Sequence, residues 1–116
     1  MAFDKIYFDM DGVLADFRKG VRDLCGIEAP DQGNSTDVDD ERMYDGMRRT
    51  DRFYLRLEPI DGMVDLFREL RRLHGDRIEI LSAIPKPHRN IVGAGEDKTE
   101  WVRRYLDDGV KVNIVL

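Results

Sequence analysis

Cysteine is almost missing from this chain, with Cys25 the only one in 116 residues. A single thiol excludes an intrachain disulfide and a cysteine-based metal cage, and it fits a reducing compartment with Cys25 as a small buried residue. Long apolar runs are missing too. No stretch approaches the roughly 20 apolar residues that span a bilayer, and no basic start followed by an apolar core opens the sequence. Positive charge is in deficit: 19 basic against 24 acidic residues leave a net −5. A general nucleic-acid binder needs a basic stripe to displace counterions, so that class is set aside. No internal repeat or low-complexity tract is visible. These absences leave a globular chain of one-domain size, expected in the cytoplasm, with no nucleic-acid and no membrane partner.

What is present reads as alternating strands and helices. Lys5 to Phe8 is a short apolar run bounded by acids, consistent with a buried parallel strand. Asp16 offers an N-cap to a helix carrying Phe17, Val21 and Leu24 and closed by Gly26. Glu28 to Thr36 reads as a loop, and Asp37 to Thr50 as a polar helix with Val38, Met43 and Met47 as its apolar residues. Arg52 to Leu57 is ambiguous and stops at Pro59. Asp61 can cap a helix whose Met63, Leu66, Phe67, Leu70 and Leu73 form one stripe ended by His74-Gly75. Arg77 to Leu81 is a second strand, Ser82 to Gly95 a loop, and Glu96 to Leu106 a helix with Trp101, Val102, Tyr105 and Leu106 inward. Val110 to Leu116 is a third strand. The pattern predicts an α/β fold: a Rossmann-like parallel sheet with helices on both faces and a small helical cap inserted after strand 1. The core takes residues 1–15 and 58–116, and the cap residues 16–57.

Chemistry concentrates in Asp9-Met-Asp-Gly-Val-Leu-Ala-Asp16, directly after the first strand. Ligands of open parallel sheets bind beyond the carboxyl ends of the strands. Asp9 and Asp11, two residues apart on a turn allowed by Gly12, can converge on one hard cation such as Mg2+. A cation there offsets repulsion between a carboxylate nucleophile and an anionic phosphate. Asp9 can then attack phosphorus to give an aspartyl-phosphate, and Asp11 can protonate the leaving oxygen and later deprotonate water. A bare Asp-x-Asp would signify only a solvated turn.

The full string Phe-Asp-Met-Asp-Gly-Val-Leu-Ala resembles the first motif of the haloacid dehalogenase-like hydrolases. That resemblance implies that Asp9 is nucleophile and magnesium ligand, and that Asp11 is general acid/base and binds the metal through its backbone carbonyl. Ile80-Leu-Ser-Ala-Ile-Pro85 resembles the second motif, which implies that Ser82 and the Ala83 amide contact a phosphate oxygen. The segments Phe53 to Gly62, Leu-Ser-Ala-Ile-Pro and Asp97 to Val102 look like the deoxyribonucleotidase branch, where aromatics near the cap pack on the nucleobase. Phe53, Tyr54 and Phe17 are therefore expected base contacts, with cap-to-core packing as the other reading. Lys98 shares a face with Trp101 and Val102 in the first turn of its helix, where a cation opposes the helix dipole at a cost of up to about 1 kcal/mol. A nearby phosphate would explain it, and the family places a lysine in this segment.

The resemblance implies a magnesium-dependent phosphatase acting on nucleoside 5'(3')-monophosphates, a small-molecule substrate. Relatives continue after a strand like Val112 to Leu116 with a third-motif lysine and a strand ending in paired acids. Three readings stay open: a partial chain, acids supplied by another chain as in a homodimer, or a short form with weakened catalysis. The rival functions are a phosphoreceiver domain, a non-catalytic nucleotide-binding module, and a phosphatase for another small phosphoester. A receiver would need an acid at the end of its third strand, and Val112 to Leu116 carries none.

Overall fold

The computed structural model describes residues 5–28 and 36–116. Most of the expected 28–36 loop, and the first four residues ahead of the first strand, lie outside the described residues. Ile6–Phe8 form β1, Ile78–Ala83 β2 and Val112–Val115 β3, in the order β1-β2-β3 with both pairings parallel. Parallel neighbours cannot be joined by a hairpin, so a helix crosses over before each new strand. These helices are α3 (Met63–His74) and α4 (Ala94–Tyr105). The chain is thus α/β, with a three-stranded parallel sheet.

Both crossovers step across the sheet in the same direction, and right-handed connections of that kind place their helices on one side. Phe67 of α3 meets Phe8 edge-on, with centroids 5.2 Å apart. On α4, a Cβ added at Gly95 would lie 3.6 Å from Ile114. The register pairs Phe8 with Ile80 and Ser82 with Ile114, so all of these side chains share a face. On the other face Tyr7, Leu81 and Val115 stay exposed. The expectation of helices on both faces is therefore corrected to one covered face among the described residues.

The long insert builds the cap from α1 (Phe17–Cys25), α2 (Asp37–Arg49) and one 3-10 turn at Phe53–Arg56. Asp16 caps α1 by accepting from the Lys19 amide at 3.1 Å. Thr36 and Asp39 form a reciprocal capping box on α2. Where the insert leaves and returns, two backbone bonds of 2.8 Å stitch it shut: the Asp16 amide to the Glu58 carbonyl, and the Ile60 amide to the Leu14 carbonyl. Met43 and Met47 of α2 are buried while Val38 is exposed.

Three local expectations change. Gly62, at φ 80°, takes the N-cap position of α3 without a side-chain bond, in place of Asp61. Leu66 and Leu73 face solvent, and Phe67 alone is fully buried on that helix. The second strand runs two residues further than expected, so Ser82 and Ala83 belong to β2.

Candidate active site

Beyond β1 the chain makes a tight turn in which the Met10 carbonyl accepts from the amides of Val13, Leu14 and Ala15. Gly12 sits at φ +78°, a left-handed conformation that favours glycine. Met10 is fully buried and anchors the turn in the core, while Asp9 stays exposed. The Met10 amide donates to Asp9 Oδ1 at 2.8 Å. This fixes one carboxylate oxygen and leaves the other to the open side of the turn.

Asp11 lies deeper, against Lys98. Lys98 Nζ donates to Asp11 Oδ2 at 2.7 Å and to Ser82 Oγ at 2.9 Å, and it also donates to the Ala83 carbonyl. An ammonium has three donors, so all three are used. The Tyr54 ring covers it at 4.4 Å from the centroid. Lys98 is completely buried, and a buried charge persists only when paired and hydrogen-bonded in this way. Three segments far apart in sequence thus meet at one ammonium: the turn after β1, the end of β2 and α4.

Helix α4 starts at Ala94, earlier than expected, which puts Lys98 beyond the first turn. Opposition to the helix dipole is therefore weaker than the sequence suggested, and pairing with Asp11 accounts for the residue. Glu96 and Asp97 occupy the first turn, where acids suit the dipole.

Burial pushes the Asp11 carboxyl above its usual range; the charge and hydrogen bond of Lys98 pull the other way, and nearby Asp9 adds to the rise. Asp11 Oδ1 is buried with no hydrogen-bond partner among the described residues. An unmet buried acceptor costs about 1–3 kcal/mol, so a proton, a donor or a cation there would relieve it. Such an orphan oxygen beside an exposed carboxylate fits a hard divalent cation. Among the described residues no group of three or more His, Cys, Asp or Glu side chains could hold a metal, so the acidic set is limited to this pair.

Of the other expected site residues, Ser82 is buried and Ala83 is exposed at the end of β2, both next to Lys98. Phe53 and Tyr54 are buried inside the cap-to-core junction. Phe53 meets Tyr54 edge-on at 5.3 Å and Phe17 edge-on at 5.8 Å. Phe17 is half-buried and is the one of the three rings with surface to offer. Burial also raises the Tyr54 phenol far above its ordinary value, so it stays neutral.

Two contributors make bonds that the sequence did not signal. Trp101 was read as a core residue, yet its Nε1 also donates to the Leu57 carbonyl at 2.9 Å. Arg52, which opens the ambiguous segment, pairs through Nε with Asp97 Oδ1 at 3.0 Å. No helix among the described residues is long and apolar enough to cross a membrane.

No family model matches the chain. Two curated proteins are similar to it over nearly its whole length. One, provisionally named a 5'(3')-deoxyribonucleotidase in Vibrio phage KVP40, is 30% identical over 114 residues, covering 96% of this chain and 56% of the relative. The other, the cytosolic type of 5'(3')-deoxyribonucleotidase in Homo sapiens, is 27% identical over 128 residues, covering 97% of this chain and 62% of the relative. The chain therefore spans little more than half the length of these relatives, with which it has a nucleotidase-like relationship.

Proposed function

We propose that this chain carries the catalytic turn of a phosphatase for nucleoside monophosphates, of the haloacid dehalogenase-like type. The observation that carries the reading is the buried ammonium of Lys98, which joins Asp11 and Ser82 beside the exposed carboxylate of Asp9. The names of the two relatives support a nucleotide as substrate, and a deoxyribonucleotide in particular.

In this reading an oxygen of Asp9 forms a bond to phosphorus as the bond from phosphorus to the nucleoside oxygen breaks. Asp11, kept protonated more readily by its burial, gives its proton to that leaving oxygen. Water then attacks phosphorus and passes a proton back to Asp11. The Asp9–phosphorus bond breaks, and inorganic phosphate leaves. Lys98 supplies fixed positive charge for the phosphoryl oxygens, a role that requires it to exchange one of its present bonds. Ser82 Oγ accepts from Lys98, so its own hydrogen remains to donate to a phosphate oxygen. In this reading the amide of Ala83 would contact the phosphate and the half-buried ring of Phe17 the base, with the buried rings of Phe53 and Tyr54 packed against Phe17. Asp9 and Asp11 would hold Mg2+, which when bound supplies charge neutralisation for the incoming phosphate.

The test is phosphate release from a panel of deoxyribonucleoside and ribonucleoside monophosphates, with and without magnesium, using Asp9→Asn as control. Release that depends on Asp9 supports the covalent route. A second reading, nucleotide binding without turnover, draws on the two-acid donor set. Nucleotide binding without phosphate release from the unaltered chain would favour it.

A further inference from the structure

The residue just before the aromatic segment has an unusual backbone. Arg52 lies at φ 52° and ψ 48°, one of two non-glycine residues at positive φ among those described. Such a conformation is rare for an L side chain and persists only where its surroundings impose it. Two things impose it here. The Arg52 carbonyl starts the 3-10 turn by accepting from the amides of Leu55 and Arg56, at 3.0 and 3.2 Å. Its guanidinium reaches across 45 residues to Asp97 Oδ1 at 3.0 Å. Asp97 is buried although it is charged, so the pair satisfies an acid that would otherwise be costly to leave inside.

Asp97 is the neighbour of Lys98, and Trp101 follows Asp97 by four residues on the same side of α4. The segment from Arg52 to Leu57 is therefore fastened to α4 at two points: Arg52 to Asp97, and the Leu57 carbonyl to Trp101 Nε1. Between these fastenings sit Tyr54 on one side and Lys98 on the other, with the ammonium 4.4 Å from the ring centroid.

We propose that Arg52 and Asp97 are positioning residues. Their ion pair sets the register of the aromatic segment on α4, and thereby holds the Lys98 ammonium against Asp11 and Ser82. Only the activity arm of the test below rests on the phosphatase reading.

Arg52→Gly suits the experiment because glycine keeps the positive φ without strain while deleting the pair. The first readout is the NMR shift of the Lys98 ε-methylene protons, which the Tyr54 ring current moves upfield. In Arg52→Gly, with the fold retained by thermal melt, these protons should move toward the value of a free lysine. Arg52→Lys should restore at least part of the shift. The second readout is KM for a deoxyribonucleoside monophosphate, expected to rise about tenfold, as small displacements of a binding group do. Loss of folded protein would lower the amplitude of release and leave KM alone. A folded Arg52→Gly chain with unchanged Lys98 resonances overturns the inference. Where Arg52→Gly does not fold, Asp97→Ala, which makes no demand on φ, is read by the same criteria. If the unaltered chain releases no phosphate, the phosphatase reading fails by itself, and the Lys98 resonances alone decide the positioning role.

Discussion

Lys98 and Asp11 stand 87 residues apart in sequence and are joined by a bond of 2.7 Å from Nζ to Oδ2. The contact exists because parallel order brings the turn after β1 and the end of β2 to the same edge, and α4 covers that edge from one face. It is also costly to break, since Lys98 is fully buried and Asp11 keeps only a quarter of its side-chain exposure.

Lys98→Met keeps most of the side-chain volume and removes the charge. Asp11 is then left buried without its partner, and breaking a buried pair from one side costs about 3 kcal/mol. Urea unfolding should show that loss, and phosphate release should fall with it. Lys98→Arg should not restore either property, because a planar guanidinium cannot direct three donors to Asp11, Ser82 and the Ala83 carbonyl from the space of one nitrogen.

Much of this site could be read from the sequence, for identifiable reasons. Asp9, Asp11 and Gly12 are adjacent in the chain, and an apolar strand followed by acids and a glycine needs no tertiary knowledge to be seen as a turn. Ser82 followed the same logic at the end of the second apolar run. Lys98 was legible as an anomaly, a cation where the helix was expected to begin. Its true partner was not, because the pairing depends on strand order. The sidedness of the sheet was hidden for the same reason, since composition does not say in which direction the chain steps. Arg52 carried no signal at all: its backbone angle and its ion pair arise only when the aromatic segment docks on α4. Leu66 and Leu73 misled because helical spacing identifies a stripe but not its width.

Tyr54 offers a cleaner separation of ring from hydroxyl. The ring lies 4.4 Å from the Lys98 ammonium, a contact worth about 0.5–2 kcal/mol when desolvated. Tyr54→Phe retains a π face and should unfold at nearly the native urea concentration. Tyr54→Leu loses the π face and leaves a cavity, so its midpoint should fall clearly below that of the phenylalanine variant. Equal midpoints for the two would show that the π face adds nothing measurable to stability.

Gly20 tests how closely the cap sits on the returning chain. A Cβ there would lie 2.2 Å from Leu57 Cδ2, far inside any real contact. Alanine normally improves a helix interior by about 1 kcal/mol over glycine. Here the overlap should reverse that sign, with a net loss of about 1–3 kcal/mol as Leu57 and its neighbours shift. The thermal melt of Gly20→Ala reports it directly. A more stable variant would mean that Leu57 has another rotamer at little cost.

The acid limb of stability should also carry the mark of Asp11. Its carboxyl is raised, first by burial, so the native chain holds that proton at pH values where the unfolded chain has released it. In that window the unfolded state binds fewer protons, and stability falls as pH rises. The fall begins in the ordinary carboxylate range and ends above the native value. Asp11→Asn cannot titrate, while other acids are common to both chains and largely cancel in the difference. The melting temperature of Asp11→Asn minus that of the native chain should therefore be smallest in acid, grow as pH rises through the window, and then level. The opposite trend would mean that attraction to Lys98 outweighs burial, leaving Asp11 ionised and unable to donate a proton at neutral pH.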